Sequence, residues 1–157
     1  MSGSEMPNYF FDTSAVAKRY RTETGSAKVD DLFISAGNIF SVSRLTVVEL
    51  HSAYAKLVRT GHLTPPDFEK LTRRFRSDIR SKRWQIVRIT VAHFESAVRL
   101  VRRAGLSKNV RTLDALQLSV ALSLNEQSEP VEFVCADQAL CEIAMAEGLT
   151  VINPEVL

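Results

Sequence analysis

The sequence YFFDTSAVAKRYR, residues 9–21, joins a short apolar run to a helical pattern near the amino terminus. Tyr9-Phe10-Phe11 is typical of a short β-strand, and the three residues that follow, Asp12-Thr13-Ser14, are favoured at the start of a helix. We predict that this helix covers residues 15–21. A strand that leads into a helix through a polar turn is the repeating element of α/β proteins.

The same alternation continues to the end of the chain. Further strands are predicted over residues 39–42, 84–89, 131–135 and 150–152. Further helices are predicted over residues 24–36, 46–60, 64–82, 90–104, 111–124 and 137–147. This order indicates an α/β fold with a parallel sheet that is covered on both faces by right-handed crossovers. Because the helix over 111–124 is apolar around most of its circumference, we expect it to be mostly buried.

Length and composition favour one folded domain. The chain has 157 residues, 45% of them hydrophobic and 24% charged, which excludes the disordered and collagen-like classes. We predict a single domain over residues 1–157, of which 1–7 form a disordered extension. Two cysteines, Cys135 and Cys141, are too few for a zinc knuckle or a disulfide framework, and we expect both to face the core.

No part of the sequence indicates a membrane protein. No apolar run approaches the roughly 20 residues that a membrane-spanning helix needs. The first residues also lack the basic and apolar regions of a signal peptide. We therefore expect a cytoplasmic protein that has no membrane partner.

The formal net charge of +2 is the sum of two opposed regions. Residues 70–103 contain eleven basic and two acidic residues, a net charge of +9, so the rest of the chain carries −7. Such a run can be a solvated helical face or a contact with a polyanion. Its density favours the contact, for which we single out Arg73, Arg74, Arg76 and Arg80.

Two aspartates follow predicted strands. Asp12 comes directly after the first strand, and Asp137 follows the strand that ends near Cys135. In a parallel α/β sheet, ligands bind at the carboxyl ends of the strands, so both side chains should face the same rim. Either residue could instead serve only as a helix N-cap.

Two further carboxylates lie in the first turns of predicted helices. Asp114 belongs to the most apolar helix, where an unpaired buried carboxylate would be costly. The alternatives for it are pairing with Arg111 and a favourable interaction with the helix N-terminus. Glu49 lies beside the apolar stripe of the helix over 46–60 and, taken alone, reads as an ordinary exposed glutamate.

A divalent cation would explain all four carboxylates if they converge. Neighbouring carboxylates repel one another and do not stay ionised together without a counter-cation. An all-oxygen set favours Mg²⁺ or Mn²⁺ over zinc. An ion held in this way activates a water molecule and stabilises the charge that develops on a phosphodiester. The basic segment would then hold the substrate backbone.

Other chemistries have little support in the sequence. It contains no G-x-S-x-G elbow, no phosphate-binding G-x-x-x-x-G-K-[ST] loop and no G-x-G-x-x-G. Its three histidines are scattered. A receiver-like signalling domain would need an aspartate at the end of the third strand, and the strand predicted over 84–89 ends without one.

Four motifs, in order, resemble those of the PIN domain, and most closely those of bacterial toxins of the VapC type. They are FFDTSA (10–15), SRLTVVE (43–49), RTLDALQL (111–118) and FVCADQAL (133–140), followed by GLTVINP (148–154). The resemblance extends from about residue 8 to residue 154. It implies a three-layer α/β/α domain with a central parallel sheet, acting as a Mg²⁺-dependent endoribonuclease.

The resemblance also implies roles for individual residues and partners. By motif matching, the acidic quartet that binds metal and carries out catalysis would be Asp12, Glu49, Asp114 and Asp137. Ser14 would line the site. Apart from the resemblance, we add Arg111 to the residues that we expect to bind the substrate. Toxins of this type generally form homodimers and are held inactive by an antitoxin, through which the pair binds operator DNA.

Three hypotheses therefore stand at this point. The leading one is an endoribonuclease toxin that uses Mg²⁺, with Mn²⁺ as a possible substitute. The second is a structure-specific DNA nuclease with the same chemistry. The third is a non-catalytic module for nucleic acid or protein, in which the acidic residues cap helices and the basic face binds.

Overall fold

A computed structural model describes residues 7–35, 37–127 and 130–156 of the chain. The strands in this part are β1 (Asn8–Phe11), β2 (Ile39–Ser43), β3 (Gln85–Val87), β4 (Val131–Val134) and β5 (Thr150–Ile152). The helices are α1 (Thr13–Tyr20), α2 (Ser26–Ile34), α3 (Arg44–Arg59), α4 (Pro65–Arg80), α5 (Val91–Ala104), α6 (Thr112–Gln127) and α7 (Gln138–Ala146).

The strands form one parallel sheet in the order β3-β2-β1-β4-β5. The central strand β1 pairs with both β2 and β4, so Asn8 lies opposite Ile39 on one side and Val131 on the other. This confirms the predicted α/β fold with a parallel sheet. Because the strands are parallel, the carboxyl ends of β1, β2 and β4 meet at one rim.

Helices cover both faces of the sheet. Successive strand residues point to opposite faces, and in β1 the side chain of Phe10 packs with α5, α6 and α7. Its neighbours Tyr9 and Phe11 pack with α1 to α4 on the other face. The result is the three-layer arrangement that the resemblance implied.

The predicted elements are all present, with small differences at their ends. The helix predicted over 24–36 begins only at Ser26, because Gly25 has a φ of 89°, which is outside the helical range. Gly25 also lies close to Pro154: a Cβ added to it would be 2.9 Å from the Pro154 carbonyl oxygen. Residue 36, the predicted end of this helix, lies outside the described residues. Residues 1–6 of the predicted disordered extension also lie outside the described residues. Pro7, the last residue of that extension, is instead tied to the sheet, because its carbonyl accepts a hydrogen bond from the Ile39 amide at 2.8 Å.

The third strand, Gln85–Val87, is shorter at both ends than the predicted 84–89, and Trp84 before it is buried in the core. Its ring packs against Phe11 and Phe33, with centroids 5.1 and 4.9 Å away. Its indole N–H donates to the hydroxyl of Tyr20 at 2.7 Å. Burial of Trp84 fixes the start of β3 against the helices of this face.

Two predictions about burial are confirmed. Every residue from 115 to 121 is buried, which confirms the prediction for α6. Cys135 and Cys141 are also buried, as predicted. None of the helices in the described part of the chain is long and apolar enough to cross a membrane.

The basic segment 70–103 does not form one continuous surface. Its first part lies on α4, which packs with α1 and α3. Its last part lies on α5, which packs with α6 on the opposite face of the sheet, and there Arg103 pairs with Glu147 at 2.9 Å. The positive charge is therefore divided between two faces of the protein.

Candidate active site

Asp12 lies at the carboxyl end of the central strand and caps α1. Its Oδ2 accepts hydrogen bonds from the amide and the hydroxyl of Ser14, at 3.2 and 2.6 Å. The Ser14 hydroxyl in turn accepts from the amide of Ala136 at 3.0 Å. Because Ala136 follows β4, Ser14 ties the start of α1 to the neighbouring strand end and holds the Asp12 carboxylate at the rim.

Glu49 is fixed by a buried glutamine. The side-chain amide of Gln117 donates to Oε1 of Glu49 at 2.7 Å and to the hydroxyl of Thr46 at 2.8 Å, while its carbonyl oxygen accepts from the hydroxyl of Ser43 at 2.7 Å. The hydroxyl of Thr13 also donates to Glu49, at 3.0 Å. Glu49 is thus part of the rim, and its interpretation as an ordinary exposed glutamate is wrong.

Arg111 joins the two remaining carboxylates. Its guanidinium lies 3.5 Å from Oδ2 of Asp114 and 3.5 Å from Oδ2 of Asp137, and its side chain is 71% exposed. Asp137 also caps α7, because its Oδ1 accepts from the amide of Leu140 at 3.1 Å. Helix capping and pairing with Arg111, the alternatives considered for these residues, both occur, and they bring Asp114 and Asp137 to the same place.

The four carboxylates influence one another electrostatically. Burial raises the pKa of Asp12, which is 6% exposed, and the negative charge of Glu49 raises it further against the opposing hydrogen bonds from Ser14. Burial also raises the pKa of Asp114, as do the charges of Asp12 and Asp137, while Arg111 lowers it. The four predicted residues therefore lie along one rim, in the order Glu49, Asp12, Asp114 and Asp137, close enough for each to affect the charge of a neighbour. Within the described residues, however, no three of these side chains meet at one point.

A family model described as the PIN domain matches residues 9–146. The chain belongs to the PIN-domain family. This is a family of nucleases. A comparison with curated proteins found no match.

Solved structures similar to this PIN domain include three related to toxin–antitoxin systems. One is a toxin–antitoxin complex from Klebsiella pneumoniae, with 15% identity and a TM-score of 0.64 over 95% of this chain and 99% of that one. Another is VapC20 of Mycobacterium tuberculosis, a sarcin-ricin loop cleaving toxin, with 17% identity and a TM-score of 0.65 over 94% and 98%. The third is VapBC2 of Rickettsia felis bound to a promoter DNA fragment, with 16% identity and a TM-score of 0.63 over 93% and 98%. At these identities the likeness confirms the fold.

Sequence reasoning did not find the polar network behind the PIN-domain carboxylates. Thr13, Ser43, Thr46 and Gln117 received no role, although all four lie within the quoted motifs. Gln117 is fully buried, and so are Ser43 and Thr46. Gln117 could have indicated this network, since it lies inside the most apolar helix, one turn after Asp114. A glutamine buried there needs hydrogen-bond partners for its side-chain amide.

The arginines predicted on α4 lie apart from the acidic row of the PIN domain. Arg73, Arg74, Arg76 and Arg80 are exposed, and within the described residues no ion pair joins them to the four carboxylates. The guanidinium of Arg74 lies over the ring of Tyr20, 5.7 Å from its centroid. Tyr20 ends α1 whereas Thr13 begins it, so about 10 Å along this helix separates Arg74 from the rim.

The raised pKa values predict how the stability of the PIN domain depends on pH in the absence of metal. The folded protein holds protons on Asp12 and Asp114 above the ordinary pKa of 3.8, where the unfolded chain has released them. Their contribution to the free energy of unfolding is thus full below pH 3.8 and is lost as the pH rises through the folded pKa values.

Urea denaturation in EDTA at a series of pH values measures this effect. We expect the difference in unfolding free energy between wild type and Asp12→Asn to shift in favour of the variant as the pH rises. The difference reports Asp12 together with its effect on Asp114, whose pKa the charge of Asp12 raises. A pH-independent difference would show that the pKa of Asp12 is not raised by folding.

Proposed function

We propose that this PIN domain is a metal-dependent endoribonuclease and the toxin of a toxin–antitoxin pair. The observation that carries the proposal is the row of four carboxylates at the rim, each of which contacts polar groups of the protein. The negative charges of neighbouring carboxylates repel one another, and a bound cation would relieve this repulsion. A cation held there could also activate a water molecule for the hydrolysis of a phosphodiester. Membership in a nuclease family supports the same conclusion, and the similar VapC20 is a toxin that cleaves RNA at the sarcin-ricin loop.

Mg²⁺ is the cofactor that we propose, with Mn²⁺ as a substitute. The donors at the rim are all oxygen atoms, and burial together with like charges raises the pKa of both Asp12 and Asp114. Over residues 7–35, 37–127 and 130–156, no three acidic, histidine or cysteine side chains converge as a ready-made metal cage. Mg²⁺ does not require one, because it commonly binds through one or two carboxylates and keeps several waters.

Asp12 and Asp114 would hold this ion, with Glu49 and Asp137 on either side of them. When bound, Mg²⁺ lowers the pKa of a coordinated water and neutralises charge that develops on the phosphate. The protein's own contribution is orientation. Ser14 keeps Oδ2 of Asp12 fixed, and Gln117 with Thr13 keeps Oε1 of Glu49 fixed, so that little reorganisation is needed during the reaction.

Cleavage assays on two kinds of substrate test the proposal. The purified chain is incubated with single-stranded RNA and with DNA flaps, each in Mg²⁺, in Mn²⁺ and in EDTA. We expect RNA to be cut in either metal and not in EDTA, and DNA to remain intact. Comparable cutting of the flaps would assign a structure-specific DNA nuclease, and binding without cleavage of either substrate would assign a non-catalytic module.

We also propose that the protein binds an antitoxin and a second copy of itself, and that it acts in the cytoplasm. The similar structures support the antitoxin, since the Klebsiella structure is a toxin–antitoxin complex, and contact of such a pair with DNA, since VapBC2 was solved with a promoter DNA fragment. The PIN domain would contact operator DNA only through its antitoxin. The exposed Arg111 would meet RNA once the antitoxin leaves the rim.

The arginines on α4 are proposed to bind the RNA backbone beyond the cleavage site. Replacing Arg73, Arg76 and Arg80 with glutamine is expected to lower the slope of log K against log salt by about 2, because each lost contact with a single strand removes about 0.7. Arg74 stays in place because its guanidinium packs on Tyr20.

Binding of single-stranded RNA to a metal-free sample over a range of salt concentrations gives this slope. Arg99→Gln is the control, since Arg99 is exposed on α5 at the opposite face. An unchanged slope in the triple variant would mean that RNA does not cross α4.

A further inference from the structure

A pocket of about 350 Å³ lies beside β5, the strand at one edge of the sheet. Its size falls within the range of sites for small molecules, which begins near about 300 Å³. Residues from α2, from α7 and from the chain around the end of β5 form it. Its lining includes Lys28, Gln138, Met145, Ile152, Asn153 and Val156.

The pocket continues the acidic row along the rim. Strand β5 is parallel to β4, with Ile152 opposite Val134, and Asn153 follows directly after this pair. Asn153 therefore lies at the same rim as the four carboxylates. Gln138, the first residue of α7, directly follows Asp137, the last carboxylate of the row. A strand of RNA that crosses the row towards β5 would reach the pocket after Asp137.

Apolar side chains form the walls of the pocket. Met145 and Val156 are 53% and 55% exposed, and Ile152 is half-buried. Enzymes that bind a nucleobase outside a helix hold its faces between aromatic or apolar side chains. The thioether of methionine is polarizable and adapts its shape to a neighbouring ring. These walls therefore suit the flat faces of a base.

Two side-chain amides lie together where the pocket meets the rim. Nδ2 of Asn153 donates to Oε1 of Gln138 at 3.4 Å, and Nε2 of Gln138 donates to Glu142 at 3.3 Å. Both distances are long for a hydrogen bond, for which about 2.9 Å is typical, so a ligand can replace these partners. An amide offers a donor and an acceptor side by side, which match N7 and N6 of adenine.

Lys28 adds a positive charge to the pocket. It is exposed on α2, and a lysine ammonium is a flexible point charge that suits a phosphate. The lining thus offers apolar walls for the faces of a base, amides for its edge and a cation for its phosphate. A peptide that added a strand to β5 would use main-chain groups instead and would need neither the amides nor Lys28.

We propose that this pocket binds an unpaired adenine of the RNA, close to the phosphate that is cut. The proposal rests on the proposed nuclease function and adds a determinant of substrate choice to it. RNA that is read in this way presents single-stranded bases, as in loops and bulges. Gln138 would read the edge of the adenine, with Asn153 beside it, and Lys28 would contact a phosphate.

Binding of short RNA in EDTA tests the pocket without cleavage. The probes are a uridine oligonucleotide and the same strand with one central adenosine. We expect wild type to bind the adenosine strand about tenfold more tightly, the order of discrimination that a bidentate amide contact gives. Gln138→Leu should bind both strands equally. Gln85→Leu, at an exposed position in β3, is the matched control and should keep the preference.

A change of specificity is the second test. Glutamate at position 138 can only accept hydrogen bonds, and it pairs with the N4 amino group of cytosine. We expect Gln138→Glu to bind a strand with one central cytidine about fivefold more tightly than the adenosine strand. The added negative charge weakens binding of every strand, so the ratio of the two affinities is the readout. A residue with only a structural role would not produce this reversal.

The positions of the cuts link the pocket to the reaction. When RNA of random sequence is cut in Mg²⁺, we expect adenosine to be enriched at one fixed distance from the cut. The enrichment should be the same in Gln85→Leu and should disappear in Gln138→Leu. Circular dichroism of each variant reports that it is folded.

The results that overturn the pocket differ from those that overturn the nuclease. Equal affinity of wild type for the uridine and adenosine strands, or a preference that Gln138→Leu keeps, would refute the pocket and leave it for another ligand, such as a protein segment. A wild type that cuts RNA without regard to adenosine would also refute the pocket but not the nuclease. A wild type that prefers adenosine in EDTA but cuts no RNA would refute the nuclease but not the binding of a base.

Discussion

Asp12→Asn is expected to lower the rate of RNA cleavage by about 10³-fold, or about 4 kcal/mol in activation free energy, because a ligand of the proposed metal ion is lost. Asparagine keeps the shape of the side chain and its capacity to cap α1, so the hydrogen bonds from Ser14 to this position can persist. The variant loses the charge that the proposed Mg²⁺ binds. Initial rates on a defined RNA in saturating Mg²⁺ measure the effect.

The same variant should be at least as stable as wild type at neutral pH in EDTA. Burial and the charge of Glu49 raise the pKa of Asp12, so its ionised form is unfavourable in the folded protein without a cation. We expect Mg²⁺ to raise the melting temperature of wild type, because an ion that binds only the folded protein stabilises it. Mg²⁺ should have little effect on Asp12→Asn, which has lost a ligand of the ion. This pairing of lost activity with retained stability distinguishes a functional carboxylate from a structural one.

Asp30→Asn is a suitable control. Asp30 is a half-exposed carboxylate on α2, away from the rim, and pairs with Arg19 of α1 at 3.0 Å. We expect its cleavage rate and its response to Mg²⁺ to match those of wild type. If Asp12→Asn cut RNA as fast as Asp30→Asn, the site would have to be elsewhere.

The rim could be located from the sequence because it depends on local patterns. Asp12 directly follows a segment with the pattern of a buried strand, Asp137 comes shortly after another, and parallel strands end at one side of a sheet. The structure places these strands next to each other, with Phe11 opposite Val134, so the two aspartates lie at neighbouring strand ends. Asp114 was identified from the cost of a carboxylate in an apolar helix, which is also a local property.

The polar network could not be located in this way because it depends on distant contacts. Gln117 and Ser43 are 74 positions apart and meet only because the end of β2, the start of α3 and the first turns of α6 converge. Nothing in a single chain indicates which buried hydroxyl will face which buried amide. Local patterns therefore indicate Asp12, Asp114 and Asp137, whereas Glu49 is indicated only by the family resemblance. Of the residues that orient the carboxylates, only Ser14 was predicted.

The basic segment could not be interpreted from the sequence for the opposite reason: its residues are close in sequence but lie far apart in the fold. Residues 70–103 look continuous, but β3 divides them, and the helices on either side of it pack against opposite faces of the sheet. A sum of charges along the chain contains no information about this crossover. Only the α4 part of the segment shares a face with α1, the helix that starts at the rim.

Gln117→Leu is expected to lower the free energy of unfolding by about 2–4 kcal/mol, because it leaves buried polar groups without their partners. Leucine has a similar volume, so loss of packing contributes little. The hydroxyls of Ser43 and Thr46, both fully buried, lose hydrogen bonds of 2.7 and 2.8 Å to Gln117. Urea denaturation measures the change.

The same substitution tests whether Gln117 positions Glu49. Without its 2.7 Å hydrogen bond, Glu49 keeps only the contact from Thr13, and we expect the cleavage rate of the folded variant to fall by about tenfold. Stabilisation by Mg²⁺ should persist, since Asp12 and Asp114 are untouched. Gln85→Leu, at an exposed position in β3, controls for the change of residue type. A variant that is less stable but cleaves RNA at the wild-type rate would assign Gln117 to the fold alone, because a positioning residue must affect the reaction as well as the stability.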